Sequence, residues 1–142
     1  MDNFNFTTTY QVRICDINYG NHVANAAVLN FFHDARLRYL AAIGDFSELD
    51  IGGCGLILPE AQVKYLAEMF CGDELLIGVR VTRLGRSSFT LEYRIERDGS
   101  ATASGSTEMV AFDYTARRPR RLPAPFCAAV QKFEGIEQHQ RR

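Results

Sequence analysis

Several signals that would place this sequence in a common functional class are missing. Its four cysteines are widely separated and form no CxxC pair, which argues against a zinc site or a redox dithiol. The 142 residues carry a formal net charge of -1, whereas a general polyanion binder is strongly positive. No serine stands in a GxSxG sequence, the turn that carries a nucleophilic serine in many hydrolases. We therefore expect no metal, no nucleic-acid partner and no serine nucleophile.

Targeting and membrane signals are also missing. Residues 1–4 contain an acid and no apolar run, unlike a signal peptide, and no stretch is apolar enough to span a bilayer. Together with unpaired cysteines, these absences predict reduced thiols in a cytoplasmic protein. The length and the 46% hydrophobic content predict one domain over residues 1–142 with a sizeable core. Residues 134–142 are expected to be a frayed tail.

What the sequence does contain is a polar motif between a strand and a long helix. Residues 6–15 alternate in character as a strand does. Residues 26–43 instead repeat apolar side chains at three- and four-residue steps, as a helix does. The motif between them, residues 16–25, reads Asp-Ile-Asn-Tyr-Gly-Asn-His-Val-Ala-Asn. We therefore predict a strand-loop-helix junction that carries a carboxylate, several amides and an imidazole.

The N-terminus of this helix is where we expect the function to lie. The first turn of a helix has unpaired N–H groups and a partial positive charge, and both suit an oxyanion. We expect Asn25 to be the N-cap and Gly44 to follow the last helical turn as the C′ residue. Asp16, Asn18 and His22 would then surround a carbonyl group that is bound and polarised there.

Strand signals dominate the remainder of the chain. Pro59 indicates an edge strand or a bulge, and Asp98-Gly99 is a tight-turn pair that predicts antiparallel neighbours. The predicted strands cover residues 56–65, 75–82, 89–96 and 101–114, and residues 124–133 are predicted as a short helix. The fold class is therefore α+β, a five-stranded antiparallel sheet wrapped around one long central helix. Since one helix cannot cover both faces of such a sheet, we expect dimerisation through the sheet edges or the open face.

The order of elements and the motif resemble the hot-dog-fold acyl-CoA thioesterases of the 4-hydroxybenzoyl-CoA thioesterase type. In that family the segment commonly reads D-x-D-x-x-x-H-V-N-N, followed by an aromatic pair, acidic residues and A-R. Here residues 16–25 are followed by Phe31-Phe32-His33-Asp34-Ala35-Arg36, and the likeness extends to residues 118–123. The resemblance implies hydrolysis of an acyl-CoA thioester to free acid and CoA, without a metal or organic cofactor. It also implies a pocket at the interface of a homodimer, alone or as part of a homotetramer.

One position of the motif departs from this family. Matched residue by residue, the family's first acid falls on Asp16, its histidine on His22 and its second asparagine on Asn25. The usual catalytic carboxylate falls on Asn18, a neutral amide that can neither attack as an anion nor accept a proton as a base. Asn18 would then only orient a water, and Asp16, His22 or Asp34 would have to activate it.

Further side chains are expected to contact the substrate. Backbone N–H groups near residues 23–25 would stabilise the oxyanion, and a strand hydroxyl could hydrogen-bond near the ligand. The expected substrate-binding residues are Tyr19, Val23, Asn25, Asp34 and Ser88. The arginines within residues 117–121 suit the phosphates of CoA, although a solvated segment is the simpler interpretation.

Other interpretations of the motif stay open. Asp16 and Asn18 could merely close the turn through side-chain to backbone hydrogen bonds, and His22 could pack the turn against the sheet. The amide at Asn18 favours a non-catalytic acyl-CoA binding protein as the second function class. A hot-dog hydroxyacyl-thioester dehydratase is the third, but the histidine and acid of that family's arrangement are not found. The acyl group, and whether its carrier is CoA or an acyl carrier protein, do not follow from the sequence.

Overall fold

One antiparallel sheet and one long helix make up most of the structure, a computed structural model that describes residues 1–139. The strands are β1 (Phe6–Gln11), β2 (Gly55–Tyr65), β3 (Glu74–Leu84), β4 (Ser88–Arg97), β5 (Ser100–Asp113) and β6 (Arg118–Pro119). The helices are α1 (Asn25–Gly44) and α2 (Ala124–Glu134), and a single 3₁₀ turn spans Ile14–Asp16. The α+β class and the order of elements agree with the prediction.

The five long strands form the predicted sheet in the order β1-β3-β4-β5-β2, and all neighbouring pairs are antiparallel. The two-residue β6 extends it by pairing with the end of β5. Asp98 and Gly99 both have positive φ, 52° and 81°, as a tight hairpin turn requires. Pro59 lies at a register shift in the edge strand β2, as its sequence context predicted.

Helix α1 packs its apolar side chains on the inner face of the sheet. Phe32 is fully buried and stacks on Tyr93 of β4, with ring centroids 4.4 Å apart. Gly105 of β5 allows this close approach, because a Cβ there would lie 2.6 Å from the Phe32 ring. Each such fully buried aromatic side chain contributes about 1.5–3 kcal/mol of hydrophobic stabilisation.

A charged side chain is buried within the same interface. Arg36 of α1 is only 5% exposed, and it pairs with Glu48 of the following loop and donates to the Tyr93 hydroxyl over 3.1 Å. Tyr93 also shares a 2.7 Å hydrogen bond with Thr107 of β5, while His33 lies 2.8 Å from Glu48. Helix, loop and sheet are therefore connected by one polar network through the core.

The predicted ends of the central helix are each wrong by one residue. Ala24 is the N-cap and Asn25 is the first helical residue, with no side-chain capping bond at Ala24. Gly44 is the last helical residue, and Asp45 takes the left-handed conformation with φ of 59°, which a short polar side chain tolerates. Within the described residues, neither helix is both long and apolar enough to cross a membrane.

Strand β1 ends earlier than the alternation predicts. After Gln11 the chain enters the 3₁₀ turn, and Ile14 is 77% exposed instead of facing the core. The turn is held by Asp16, whose carboxylate accepts hydrogen bonds from the Arg13 N–H and the Tyr10 hydroxyl. Asp16 therefore does not continue the strand face.

Part of the predicted frayed tail is ordered against the sheet. Glu134 closes α2, and its carboxylate accepts hydrogen bonds from Tyr39 and from the Val81 N–H. Beyond it, the His139 N–H donates to the Leu84 carbonyl over 2.7 Å. The prediction of fraying is thus wrong for residues 134–139, and residues 140–142 lie outside the described part of the chain.

Candidate active site

A pocket of about 230 Å³ lies at the N-terminus of the central helix. It is built by the start of α1, the end of β2 and the loop of residues 66–73 that leads into β3. Its lining residues are His22, Val23, Asn25, Val28, Tyr65, Leu66, Ala67, Glu68 and Met69. Three of the predicted site residues, His22, Val23 and Asn25, are therefore brought together with groups from a distant part of the chain.

Backbone hydrogen bonds fix the segments around this pocket. The Val23 N–H donates to the Met69 carbonyl over 2.8 Å, and the Ala24 N–H donates to the Asp16 carbonyl over 2.9 Å. The Tyr65 hydroxyl, at the end of β2, donates to the Asn25 carbonyl over 3.0 Å. The loop before α1 and the loop after β2 are thereby held against each other.

The same bonds decide which N–H groups remain for a ligand. Val23 and Ala24, two of the expected oxyanion donors, already have acceptors. The N–H groups of Asn25 and Ala26 have no hydrogen-bond partner among residues 1–139. Such unpaired donors in the first turn of a helix suit an anion or a polarised carbonyl. The available donors lie slightly further into the helix than the sequence suggested.

His22 is half-buried beside these donors. Its Nδ1 lies 3.1 Å from the Val23 carbonyl oxygen, which can only accept, so Nδ1 carries the hydrogen and donates it. Nε2 then holds the lone pair of the neutral imidazole, and it lies 3.9 Å from Oε2 of Glu68. The ring is thus oriented as a proton acceptor at the pocket.

The Asn18 side chain lies beside His22, but its hydrogen bond is made within the turn. Its side-chain oxygen accepts the Gly20 N–H over 2.9 Å. A Cβ built on Gly20 would lie 3.2 Å from both Asn18 Oδ1 and His22 Nε2, so the two side chains flank this glycine. Tyr19, at the tip of the same turn, is fully exposed and is not a lining residue of the pocket.

The carboxylate of Asp16 is largely occupied by its own turn. Oδ2 accepts the Tyr10 hydroxyl over 2.6 Å and the Arg13 N–H over 2.9 Å. Among residues 1–139, the one partner of Oδ1 is the Cys15 thiol, at 3.9 Å. Burial, followed by the hydrogen bond to Asp16, raises the pKa of Tyr10 above its usual range. Asp16 is adjacent to the pocket through its backbone but is absent from its lining.

A single chain does not bring Asp34 or Ser88 to the pocket. Asp34 lies nine residues after Asn25, about 13 Å along the helix axis, and it pairs with Arg38 over 3.0 Å. Ser88 alternates with core residues of β4 and so lies on the outer face of the sheet. Its hydroxyl accepts a hydrogen bond from Arg83 over 2.9 Å.

The arginine segment, residues 117–121, is also remote within one chain. It adjoins the end of β5, since Asp113 pairs with Arg118. Tyr65 pairs with Ala103 near the start of that strand, about 30 Å away at the usual rise per strand residue. These arginines are exposed, as a solvated segment would be.

Glu68 and Tyr65 line the pocket but were not expected from the sequence. Tyr65 was assigned only to a strand face, and Glu68 follows the strand in a loop without periodicity. What places Glu68 is Arg97, which donates to the Glu68 carbonyl over 2.7 Å and to Asp73 over 2.9 Å. Within residues 1–139, no group of three or more His, Cys, Asp or Glu side chains could hold a metal ion.

Comparison with known proteins identifies the family to which this chain belongs. Residues 12–130 match the family model described as the Thioesterase-like superfamily. A 1,4-dihydroxy-2-naphthoyl-CoA hydrolase of Thermosynechococcus vestitus is 30% identical over 120 residues, which cover 82% of this chain and 82% of that protein.

Solved structures of thioesterases are also similar to this chain. A thioesterase from Thermus thermophilus, complexed with coenzyme A and Zn, is similar with a TM-score of 0.82 and 28% identity, covering 96% of this chain and 99% of that chain. A 1,4-dihydroxy-2-naphthoyl-CoA thioesterase from Synechocystis is similar with a TM-score of 0.79 and 25% identity, covering 88% and 94%. The similarity therefore extends over most of the chain.

Proposed function

This chain belongs to the thioesterase-like superfamily, and we propose that it hydrolyses an aromatic acyl-CoA thioester to the free acid and CoA. The aromatic acyl group is supported by the relatives that are named for the hydrolysis of 1,4-dihydroxy-2-naphthoyl-CoA. The observation that carries the proposal is that His22 and Asn25 line one pocket at the N-terminus of α1, where the N–H groups of Asn25 and Ala26 have no partner among residues 1–139.

In the proposed reaction, the thioester carbonyl binds at the N-terminus of α1. His22 Nε2 takes a proton from a water, whose oxygen forms a bond to the carbonyl carbon. The negative charge on the carbonyl oxygen is stabilised by the N–H groups of Asn25 and Ala26. Collapse of the intermediate breaks the C–S bond, and the CoA thiolate takes the proton from His22. The products are the free acid and CoA.

Asp16 is the alternative base in this proposal. Its Oδ1 is available to a water, but two hydrogen bonds to Oδ2 hold the carboxylate in its turn. His22 lines the pocket and Asp16 does not, which favours His22. Asn18 keeps the supporting role of orienting the turn and the water next to His22.

We further propose that two copies associate through β2. This strand is an edge of the sheet, and most of its residues from Leu58 onward are exposed, which makes it a template for pairing with another chain. The outer face of the sheet instead carries ion pairs such as Arg80 with Glu92. A homodimer through the edge is therefore favoured over one through the open face, and a dimer of dimers stays a prediction.

Edge pairing would also give the arginine segment a role. In antiparallel pairing the start of one β2 lies beside the end of the other. Arg120 lies 3.5 Å from the carbonyl of Gly53, just before β2. Arg120 of the partner subunit would therefore approach the pocket, where a guanidinium suits a CoA phosphate. The cytoplasmic location expected from the sequence likewise stays a prediction.

The test is release of CoA from a panel of aromatic and aliphatic acyl-CoAs, corrected for the protein's own thiols. We expect turnover of aromatic acyl-CoAs, and a loss of about 100-fold or more in kcat for His22→Gln, because acid–base groups typically contribute this much. His33→Gln is the matched control, since His33 is an exposed histidine of α1 that is not a lining residue of the pocket.

Two results would contradict the proposal. Saturable binding of acyl-CoA without turnover would identify a binding protein instead of an enzyme. Full activity in His22→Gln together with a loss in Asp16→Asn would move the role of base to Asp16.

A further inference from the structure

We infer that Glu68 supplies the carboxylate that the motif lacks at position 18, and that it holds the attacking water together with His22. The inference rests on the proposed thioester hydrolysis. It concerns a residue more than forty positions after the motif, in the loop of residues 66–73. The motif itself offers only the amide of Asn18 at the position of an acid.

The geometry of two side-chain atoms is the first support. Oε2 of Glu68 lies 3.9 Å from Nε2 of His22, which is too long for a direct hydrogen bond. One water at the usual distance of about 2.8 Å from both atoms fits this separation. Such a water would donate one hydrogen to the imidazole lone pair and the other to the carboxylate, leaving an oxygen lone pair for the carbonyl carbon.

The ionisable groups around the pocket leave this role to Glu68. The ionisable lining side chains are His22, Tyr65 and Glu68, and the Tyr65 hydroxyl is bonded to the Asn25 carbonyl. Asp16 is occupied by its turn. In the described chain, no lysine or arginine pairs with the Glu68 carboxylate, and His22 Nε2 is the one basic nitrogen within 4 Å of it.

The backbone that carries Glu68 is fixed, although its side chain is 66% exposed. The Leu66 and Ala67 N–H groups both donate to the Thr102 carbonyl of β5, over 2.9 and 3.1 Å. The Arg97 guanidinium of β4 donates to the Glu68 carbonyl, and the next residue, Met69, accepts the Val23 N–H. Bonds to two strands and to the loop before α1 thus fix the backbone from which the Glu68 side chain extends toward the imidazole.

This placement fits the charge that develops in the reaction. When the water attacks, one proton passes to His22 and the imidazole becomes a cation, while the new negative charge lies on the carbonyl oxygen. The Glu68 carboxylate stabilises that cation across the pocket, and the proton then leaves with the CoA thiolate. Glu68 starts and ends ionised, so no further proton acceptor is needed.

The experiment compares Glu68→Gln with wild type and with Glu74→Gln, an exposed glutamate at the start of β3 that is absent from this pocket. Glutamine keeps the size of the side chain but not its charge. We expect kcat of Glu68→Gln to fall about 100-fold with KM nearly unchanged, the lower end of the usual acid–base contribution. Glu74→Gln should match wild type, and thermal melting of all variants checks that they fold alike.

A double variant separates a shared water from independent roles. If Glu68 and His22 act on the same water, His22→Gln with Glu68→Gln loses little more kcat than His22→Gln alone, because groups that act as a unit are not additive. Unchanged kcat in Glu68→Gln, a change in KM alone, or losses that multiply in the double variant would overturn the inference and leave the hydrolase intact. Absence of turnover in wild type would instead overturn the hydrolase proposal and this inference with it.

Discussion

The hydroxyl of Tyr10 and the carboxylate of Asp16 meet where strand β1 ends and the 3₁₀ turn of residues 14–16 begins. Their 2.6 Å hydrogen bond joins β1 to the 3₁₀ turn, whereas the other bond to Oδ2 comes from the Arg13 N–H at the start of the turn. At the scale of single residues, Asp16 is therefore first a structural acceptor. This is the interpretation that the sequence left open beside its possible role as a base.

Tyr10→Phe tests this role of Asp16. We expect the free energy of unfolding to fall by about 1 kcal/mol, the usual contribution of one hydrogen bond, while kcat stays within a few-fold of wild type. Urea unfolding and CoA release measure the two effects. Tyr19→Phe is the matched control, because Tyr19 is fully exposed. A collapse of kcat in Tyr10→Phe without loss of stability would instead indicate that this bond tunes a catalytic carboxylate.

At the scale of elements, α2 is joined to the sheet through the carboxylate of Glu134. Strand β3 shifts register between Val81 and Arg83, and the Val81 N–H donates to Glu134 over 3.0 Å. The same oxygen accepts the hydroxyl of the fully buried Tyr39 of α1 over 2.5 Å. Burial, and then the bond to Glu134, raise the pKa of Tyr39 above its usual range. One carboxylate thus connects both helices to the irregular point of β3.

Glu134→Ala should therefore be strongly destabilising. It leaves two inner donors without an acceptor, and each such donor costs about 1–3 kcal/mol. Chemical denaturation measures the loss, and Glu137→Ala, at an exposed glutamate three residues later, should change stability by less than about 0.5 kcal/mol. Equal stability of the two variants would show that water replaces the Glu134 carboxylate and that its bonds to Tyr39 and Val81 are not needed for stability.

The elements themselves were predictable because their signals are local. Alternation in β3 and β4, the Asp98-Gly99 turn and the helical period of residues 26–43 each lie within one segment, and the structure confirms them. The C-terminal end of α1 and the end of β1 were misplaced because a left-handed Asp45 decides the first and the Tyr10–Asp16 bond the second. Neither a backbone angle nor a side-chain contact across a turn is visible in hydrophobic periodicity.

The site was predictable only on its motif side. Asn18 and His22 flank Gly20 as expected of neighbours in one turn. The loop that carries Glu68 is positioned by hydrogen bonds to β4, β5 and the residues before α1, and Arg97 of β4 lies 29 residues from Glu68 in the sequence. Because such anchoring depends on the assembled sheet, residue patterns within the loop did not indicate it.

At the scale of the whole molecule, the exposed edge of β2 predicts the assembly. Ala61→Lys places a charge in the middle of this edge strand, where natural proteins use lysine to prevent edge pairing. We expect the variant to elute as a monomer in size-exclusion chromatography with light scattering, where wild type elutes as a dimer or larger. Leu49→Lys, at a leucine that is 79% exposed outside the sheet, is the control. A variant that keeps the mass of wild type would exclude β2 as the interface.

The buried Arg36 fixes the position of α1 along the sheet. An aromatic helix face can slide along an apolar sheet with little change in buried area, but a guanidinium cannot, because moving it off Glu48 and Tyr93 would leave an uncompensated charge in the core. A slip of a single turn would carry the helix about 5.4 Å and take the Asn25 and Ala26 donors away from His22. Arg36 lies about three turns from those donors. It therefore fixes their position relative to the sheet without contacting them.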